Sequence, residues 1–109
     1  MATEILTGTS RITLVNVFPT NPEQFDELFK LLGAQTEKVV ELPGCISANV
    51  HVSRDKERIV NYAQWESMDA FQAMLTHPVL SITRAEIEAL SQPDVHIYDV
   101  VATYEGPAA

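Results

Sequence analysis

The run Ile59-Val60-Asn61-Tyr62-Ala63-Gln64-Trp65-Glu66 decides how this chain folds. It is rich in β-branched and aromatic residues and holds neither glycine nor proline. The charged cluster Arg54-Asp55-Lys56-Glu57-Arg58 precedes it and Ser67 follows it. A strand entered from a hairpin turn and left through a helix cap has this form. Residues two apart on a strand share a face. Asn61, Ala63 and Trp65 therefore point one way, and Tyr62, Gln64 and Glu66 the other.

Working back from the hairpin, Cys45 to Ser53 alternates Ile46, Ala48, Val50 and Val52 with Ser47, Asn49, His51 and Ser53. This is a second strand. Pro43-Gly44 before it ends a helix that opens at Asn21-Pro22-Glu23-Gln24, where Asn21 can cap and Pro22 suits the first helical position. Phe25, Leu28, Phe29, Leu32, Val39 and Val40 supply an apolar stripe at helical spacing. Arg11 to Phe18 reads as the first strand, apolar on both faces and stopped by Pro19. Residues 1–10 are mostly small or polar and form an arm that orders only if it docks.

Working forward, Ser67 caps a helix holding Ala70, Phe71, Met74 and Leu75. His77-Pro78 breaks or kinks that helix, because a residue before proline avoids the helical region. Leu80 to Leu90 continues it or forms a separate short helix. Gln92-Pro93-Asp94 is a loop, Val95 to Tyr104 a last strand, and residues 105–109 a tail. The order β-α-β-β-α-β over residues 11–104 is the ferredoxin-like, split βαβ arrangement. It gives an α+β domain with a four-stranded antiparallel sheet and helices on one face. The strands are apolar on both faces, and the 109 residues leave nothing else to cover the second one. A second copy packed sheet to sheet would, so a homodimer is expected.

Seven Lys plus Arg against fifteen Asp plus Glu give a net charge of -8. That surface repels nucleic acid backbones and anionic membranes, so neither is expected as a partner. Hydrophobic residues make up 46%, enough for a folded core. Cys45 is the one cysteine, which rules out an internal disulfide and reads as a small buried hydrophobe. No stretch approaches the roughly 18 apolar residues of a transmembrane helix. The start of the chain does not resemble a signal peptide, so the expected compartment is the cytoplasm.

Asn61 and Trp65 are the first candidates for a site. They stand about 13 Å apart along the strand at ~3.3 Å per residue. Ala63 leaves room between them for something flat. Both side chains carry neutral hydrogen-bond donors suited to a planar, oxygen-bearing ligand. The bland alternative is a core tryptophan and an asparagine that satisfies a loop. Arg84 is either a surface arginine paired with Glu86 or Glu88, or a cation at the mouth of the cleft between helices and sheet. His51, His77 and His96 do not have metal-ligand spacing, no phosphate-binding glycine loop exists, and no metal site is expected.

The run Asn61-Tyr62-Ala63-Gln64-Trp65-Glu66-Ser67 resembles the signature strand of the antibiotic biosynthesis monooxygenase (ABM) family. Pro43-Gly44, the charged hairpin, and Ala70-Phe71 followed by Pro78 are similar to the family's pattern too. The resemblance spans about residues 11 to 104 and implies a dimeric α/β barrel. It is nearest to the cofactor-independent monooxygenases that oxidise anthrones or quinols with molecular oxygen. It implies catalytic roles for Asn61, Trp65 and Arg84, and places Phe71 where that branch has a tyrosine. Ala63, Phe71, Met74 and His51 become candidate substrate contacts, with His51 also a candidate base. The expected substrate is a small electron-rich aromatic, with no cofactor. The haem-degrading branch would use the places of Thr13, Met74 and Arg84, where no proximal histidine stands. The alternative function is a non-catalytic dimer of the same fold that binds a small molecule.

Overall fold

The computed structural model describes residues 3–108; Met1 and Ala2 of the expected arm and Ala109 of the expected tail lie outside them. The elements run β1 (Ile12–Pro19), α1 (Phe25–Val39), β2 (Cys45–Val52), β3 (Arg58–Trp65), α2 (Met68–Leu75), a 3-10 turn (Pro78–Leu80), α3 (Ser81–Leu90) and β4 (Asp94–Tyr98). The strands form one antiparallel sheet in the order β2-β3-β1-β4. This is the ferredoxin-like α+β arrangement.

Local chemistry explains where these elements start and stop. Asn21 Oδ1 accepts from the backbone N–H of Glu23 and Gln24, both at 3.0 Å, so a polar turn precedes α1. The helix then begins at Phe25, later than its capping residues suggest. It ends at Val39, before Pro43-Gly44. Gly44 has φ +86°, and a Cβ there would collide with Ala70 Cβ. Its carbonyl accepts from Glu66 N–H at 2.8 Å, locking the start of β2 against the end of β3. Ser67 caps α2 by accepting from Ala70 N–H at 3.2 Å. Pro78 then separates α2 from α3.

Two expectations are corrected. The last strand stops at Tyr98 rather than Tyr104. Tyr98 pairs with Thr13, close to the start of β1, so the sheet offers nothing for residues 99–104 to pair with. Val101 and Tyr104 stand 89% and 92% exposed. The apolar stripe of α1 is also narrower than expected. Leu28, Leu32 and Val39 are buried, whereas Phe29 and Val40 are exposed and Phe29 stacks on Phe25 instead.

All three helices pack on the sheet face that carries Ile12, Leu14, Phe18, Ile59, Ala63 and Trp65. The opposite face is not bare. The N-terminal arm docks on it: Gln64 Nε2 donates to Glu4 C=O at 2.6 Å, and Thr3 Oγ1 donates to Asn49 Oδ1 at 2.9 Å. Gln64 and Thr13 are consequently buried on that side. No helix among the described residues is long and apolar enough to cross a membrane.

Candidate active site

The ladder between β1 and β3 sets the site. Its helix-side pairs run Ile12 with Trp65, Leu14 with Ala63, Asn16 with Asn61, and Phe18 with Ile59. One pair of amides thus interrupts an apolar row. The core divides there. Ile12, Leu14, Ala63 and Trp65 join Val39, Phe71, Met74 and Leu80 in one cluster, and Phe18 and Ile59 join Leu28, Leu32 and Ile87 in another. Between them lies a cavity of about 270 Å³, floored by the sheet and walled by α1, α2 and α3.

Six of the seven expected site residues line this cavity: Asn61, Ala63, Trp65, Phe71, Met74 and Arg84. The period-two face of β3 explains the first three. Phe71 and Met74 come from one face of α2, three residues apart. Trp65 is fully buried and meets Phe71 edge to face, with centroids 6.1 Å apart. Arg84 comes from α3. Its Nη1 donates to Leu75 C=O at 3.0 Å, and its Nη2 lies 4.0 Å from Met74 Sδ. Arg84 makes no close ion pair with Glu86 or Glu88. The guanidinium is anchored at the end of α2 by that carbonyl, and Glu88 lines the same cavity.

His51 is the exception. It pairs with Val60 on β3, which alternation places on the face opposite Asn61. Its Nδ1 lies 3.2 Å from Asn49 C=O, and the residue is exposed. His51 therefore does not line the cavity. Thr13 likewise pairs with Gln64 on the opposite face.

The polar atoms of the cavity are its most telling feature. Asn16 Oδ1, Asn61 Oδ1, Gln35 Oε1 and Trp65 Nε1 are all buried without a hydrogen-bond partner. All four residues line the cavity. A buried polar group left unpaired costs about 1–3 kcal/mol, and native proteins keep few of them. Four such residues line one largely apolar space.

A family model described as antibiotic biosynthesis monooxygenase matches residues 11–84. The chain belongs to the antibiotic biosynthesis monooxygenase family. This ABM chain is 44% identical over 82 residues to tetracenomycin-F1 monooxygenase of Streptomyces glaucescens, a match covering 74% of the chain and 73% of that relative. Among solved structures it is similar to SnoaB, a cofactor-independent oxygenase from Streptomyces nogalater. The TM-score is 0.71 at 26% identity, covering 87% of this chain and 97% of SnoaB. Rv0793 from Mycobacterium tuberculosis shares the fold with a TM-score of 0.75 at 21% identity, over 91% of this chain and 100% of that one.

Two of the residues with unpartnered polar atoms, Asn16 and Gln35, were not anticipated in the ABM chain. Asn16 sits among Leu14, Val15, Val17 and Phe18, a lone amide inside an apolar strand. Gln35 falls in the gap between Leu32 and Val39 on the buried stripe of α1. Both break an apolar pattern on its inward side, and that break is the signal that finds them.

Proposed function

We propose that this ABM protein is a cofactor-independent monooxygenase of a small, electron-rich aromatic such as an anthrone or quinol. The observation that carries the reading is the set of unpartnered Asn61, Asn16 and Trp65 polar atoms around an apolar cavity. Support also comes from the relative named a monooxygenase and the structural neighbour named a cofactor-independent oxygenase.

The chemistry asks little of side chains. An anthrone loses a proton to become an electron-rich enolate, which can give one electron to dioxygen. Recombination at the ring carbon and loss of water turn the CH2 into C=O. One oxygen atom enters the ring and the other leaves as water, so the substrate is its own reductant. The protein's task is to favour the anion and exclude bulk water. Asn61 and Trp65 donate to the ring oxygens through their N–H groups. Arg84, held through Leu75 C=O at the cavity wall, lowers the cost of the enolate. Ala63, Phe71 and Met74 provide the apolar wall. Phe71 has no hydroxyl to relay a proton, so the proton leaves to water or to the solvent-exposed Glu88 at the cavity wall.

The active form in this reading is a cytoplasmic homodimer. Val15, Val17, Val60 and Tyr62 share the sheet face that the arm covers only in part, and residues 99–104 lack a strand partner within the chain. A second copy of the chain satisfies both. A monomer in sedimentation at micromolar concentration would remove this part of the reading.

The function itself is tested by following oxygen uptake with dithranol and a series of naphthoquinols. Acceleration over buffer is expected for at least one of them; none across the series contradicts the proposal. Phe71 favours one alternative, a dimer that binds an aromatic without turning it over. Binding of these compounds that quenches Trp65 without oxygen uptake would identify it.

A further inference from the structure

The core stripe of α1 holds a residue that packing does not explain. Leu28, Leu32 and Val39 lie on the buried side of this helix. Gln35 takes the place between Leu32 and Val39 at the same helical spacing, where a leucine would fill the core. Its Oε1 is buried and has no partner. The neighbouring polar residue differs. Thr36 also lines the cavity, but its hydroxyl has a partner, donating its one proton to Leu32 C=O at 2.7 Å. Gln35 is thus the cavity-lining residue of α1 whose side-chain oxygen is left unpartnered. Asn16 and Asn61 line the same space from the sheet that floors it, whereas Gln35 lines it from α1.

We infer that Gln35 is a substrate-positioning residue that selects aromatics bearing a second polar substituent, on the ring edge remote from the Asn16–Asn61 pair. Its amide oxygen accepts from a phenolic O–H; turned over, its NH2 donates to a ring oxygen. Either way it rewards a ligand that is polar at two opposed edges. A ligand polar at one edge leaves the amide buried and unpaired. Sites built this way discriminate strongly, because the wrong ligand strands a buried polar group. The inference deepens the monooxygenase reading by assigning the substrate's polar pattern, and it rests on that reading for the cavity's role.

The test compares Gln35→Met with wild type by calorimetric titration. Met matches the length of Gln and removes both polar atoms. The ligands are a naphthol with one hydroxyl and the naphthalenediol with a second hydroxyl on the far ring. Wild type is expected to bind the diol about tenfold more tightly, the worth of one good hydrogen bond. The variant is expected to lose most of that preference, to bind the naphthol as before, and to melt at a higher temperature. Equal loss of both ligands with a lower melting temperature makes Gln35 a packing residue and overturns the inference. An unchanged preference in the variant overturns it too, as does wild type that binds neither ligand. Gln35→Leu gives the same reading should the Met variant fold poorly. Oxygen uptake on dithranol and the naphthoquinols separates the two claims. Discrimination without turnover supports Gln35 and counts against the monooxygenase; turnover without discrimination does the reverse.

Discussion

Asn16 on β1 and Asn61 on β3 stand directly opposite each other on the helix-facing side of the sheet, and the side-chain oxygen of each is buried without a partner. Two amides placed opposite each other could satisfy one another; instead the oxygen of each stays unpartnered, and both residues line the cavity. Stability alone would select leucine or valine at such positions. In the proposed function, a ligand with polar groups that fills the space offsets the cost of keeping the amides.

Trp65 separates packing from hydrogen bonding. Its indole is fully buried against Phe71, yet its N–H bonds to nothing. Trp65→Phe is expected to cost roughly 10²-fold in kcat/KM, the worth of one preorganised donor. Trp65→Ala should instead destabilise the fold by about 3–5 kcal/mol. Thermal melts beside initial rates distinguish the two effects.

Arg84 acts through charge in the proposed mechanism. A cation beside the substrate lowers the pKa of the group that becomes the enolate. Arg84→Gln is therefore expected to lower the rate at neutral pH and to move the pH–rate profile to higher pH. The loss should shrink as the solution pH does the work of the guanidinium. A uniform loss at every pH would mean that Arg84 only packs.

Cys45 should be a poor nucleophile. Burial pushes its thiol pKa up, and its register partner is Trp65 at the edge of the core. The folded pKa lies above the unfolded one, so the contribution to stability is complete below the unfolded value and is lost as pH rises through the folded value. Alkylation by iodoacetamide at neutral pH is expected to be several-fold slower than for an exposed thiol, which carries more thiolate at that pH. Mass spectrometry of a time course measures it.

Gly44 is expected to tolerate no side chain. Its positive φ and the approach of Ala70 act together. Gly44→Ala should destabilise by about 1–3 kcal/mol from backbone strain, with a further loss where α2 is pushed from β3. Denaturant unfolding gives the value. A neutral substitution would show that α2 shifts freely.

Much of the site was legible because it sits on regular elements. Alternation along β3 sufficed to put Asn61, Ala63 and Trp65 on one face, whereas Phe71 and Met74 entered through the family resemblance. Arg84 needed the family resemblance, since spacing alone could not tell a cleft arginine from a surface one. His51 misled because a histidine on an alternating strand looks the same on either face. Only the register with Val60 shows which side it takes. Asn16 and Gln35 were overlooked because each is a single polar residue within an apolar pattern. A pattern read for its hydrophobic members passes over what interrupts it. The end of β4 was overestimated because residues 99–104 look like strand, and only pairing decides whether they are one.

The central claim is that the cavity's buried amides await a substrate rather than hold the fold. Asn61→Leu tests it most directly, with oxygen uptake on dithranol and the naphthoquinols measured beside the melting temperature. The account predicts wild-type acceleration of at least one substrate and a loss of about 10²-fold or more in the variant. It also predicts that the variant melts higher, because an unpaired polar group worth about 1–3 kcal/mol has been removed from the core. A variant that keeps wild-type turnover, or one that loses activity only because it unfolds, contradicts the account.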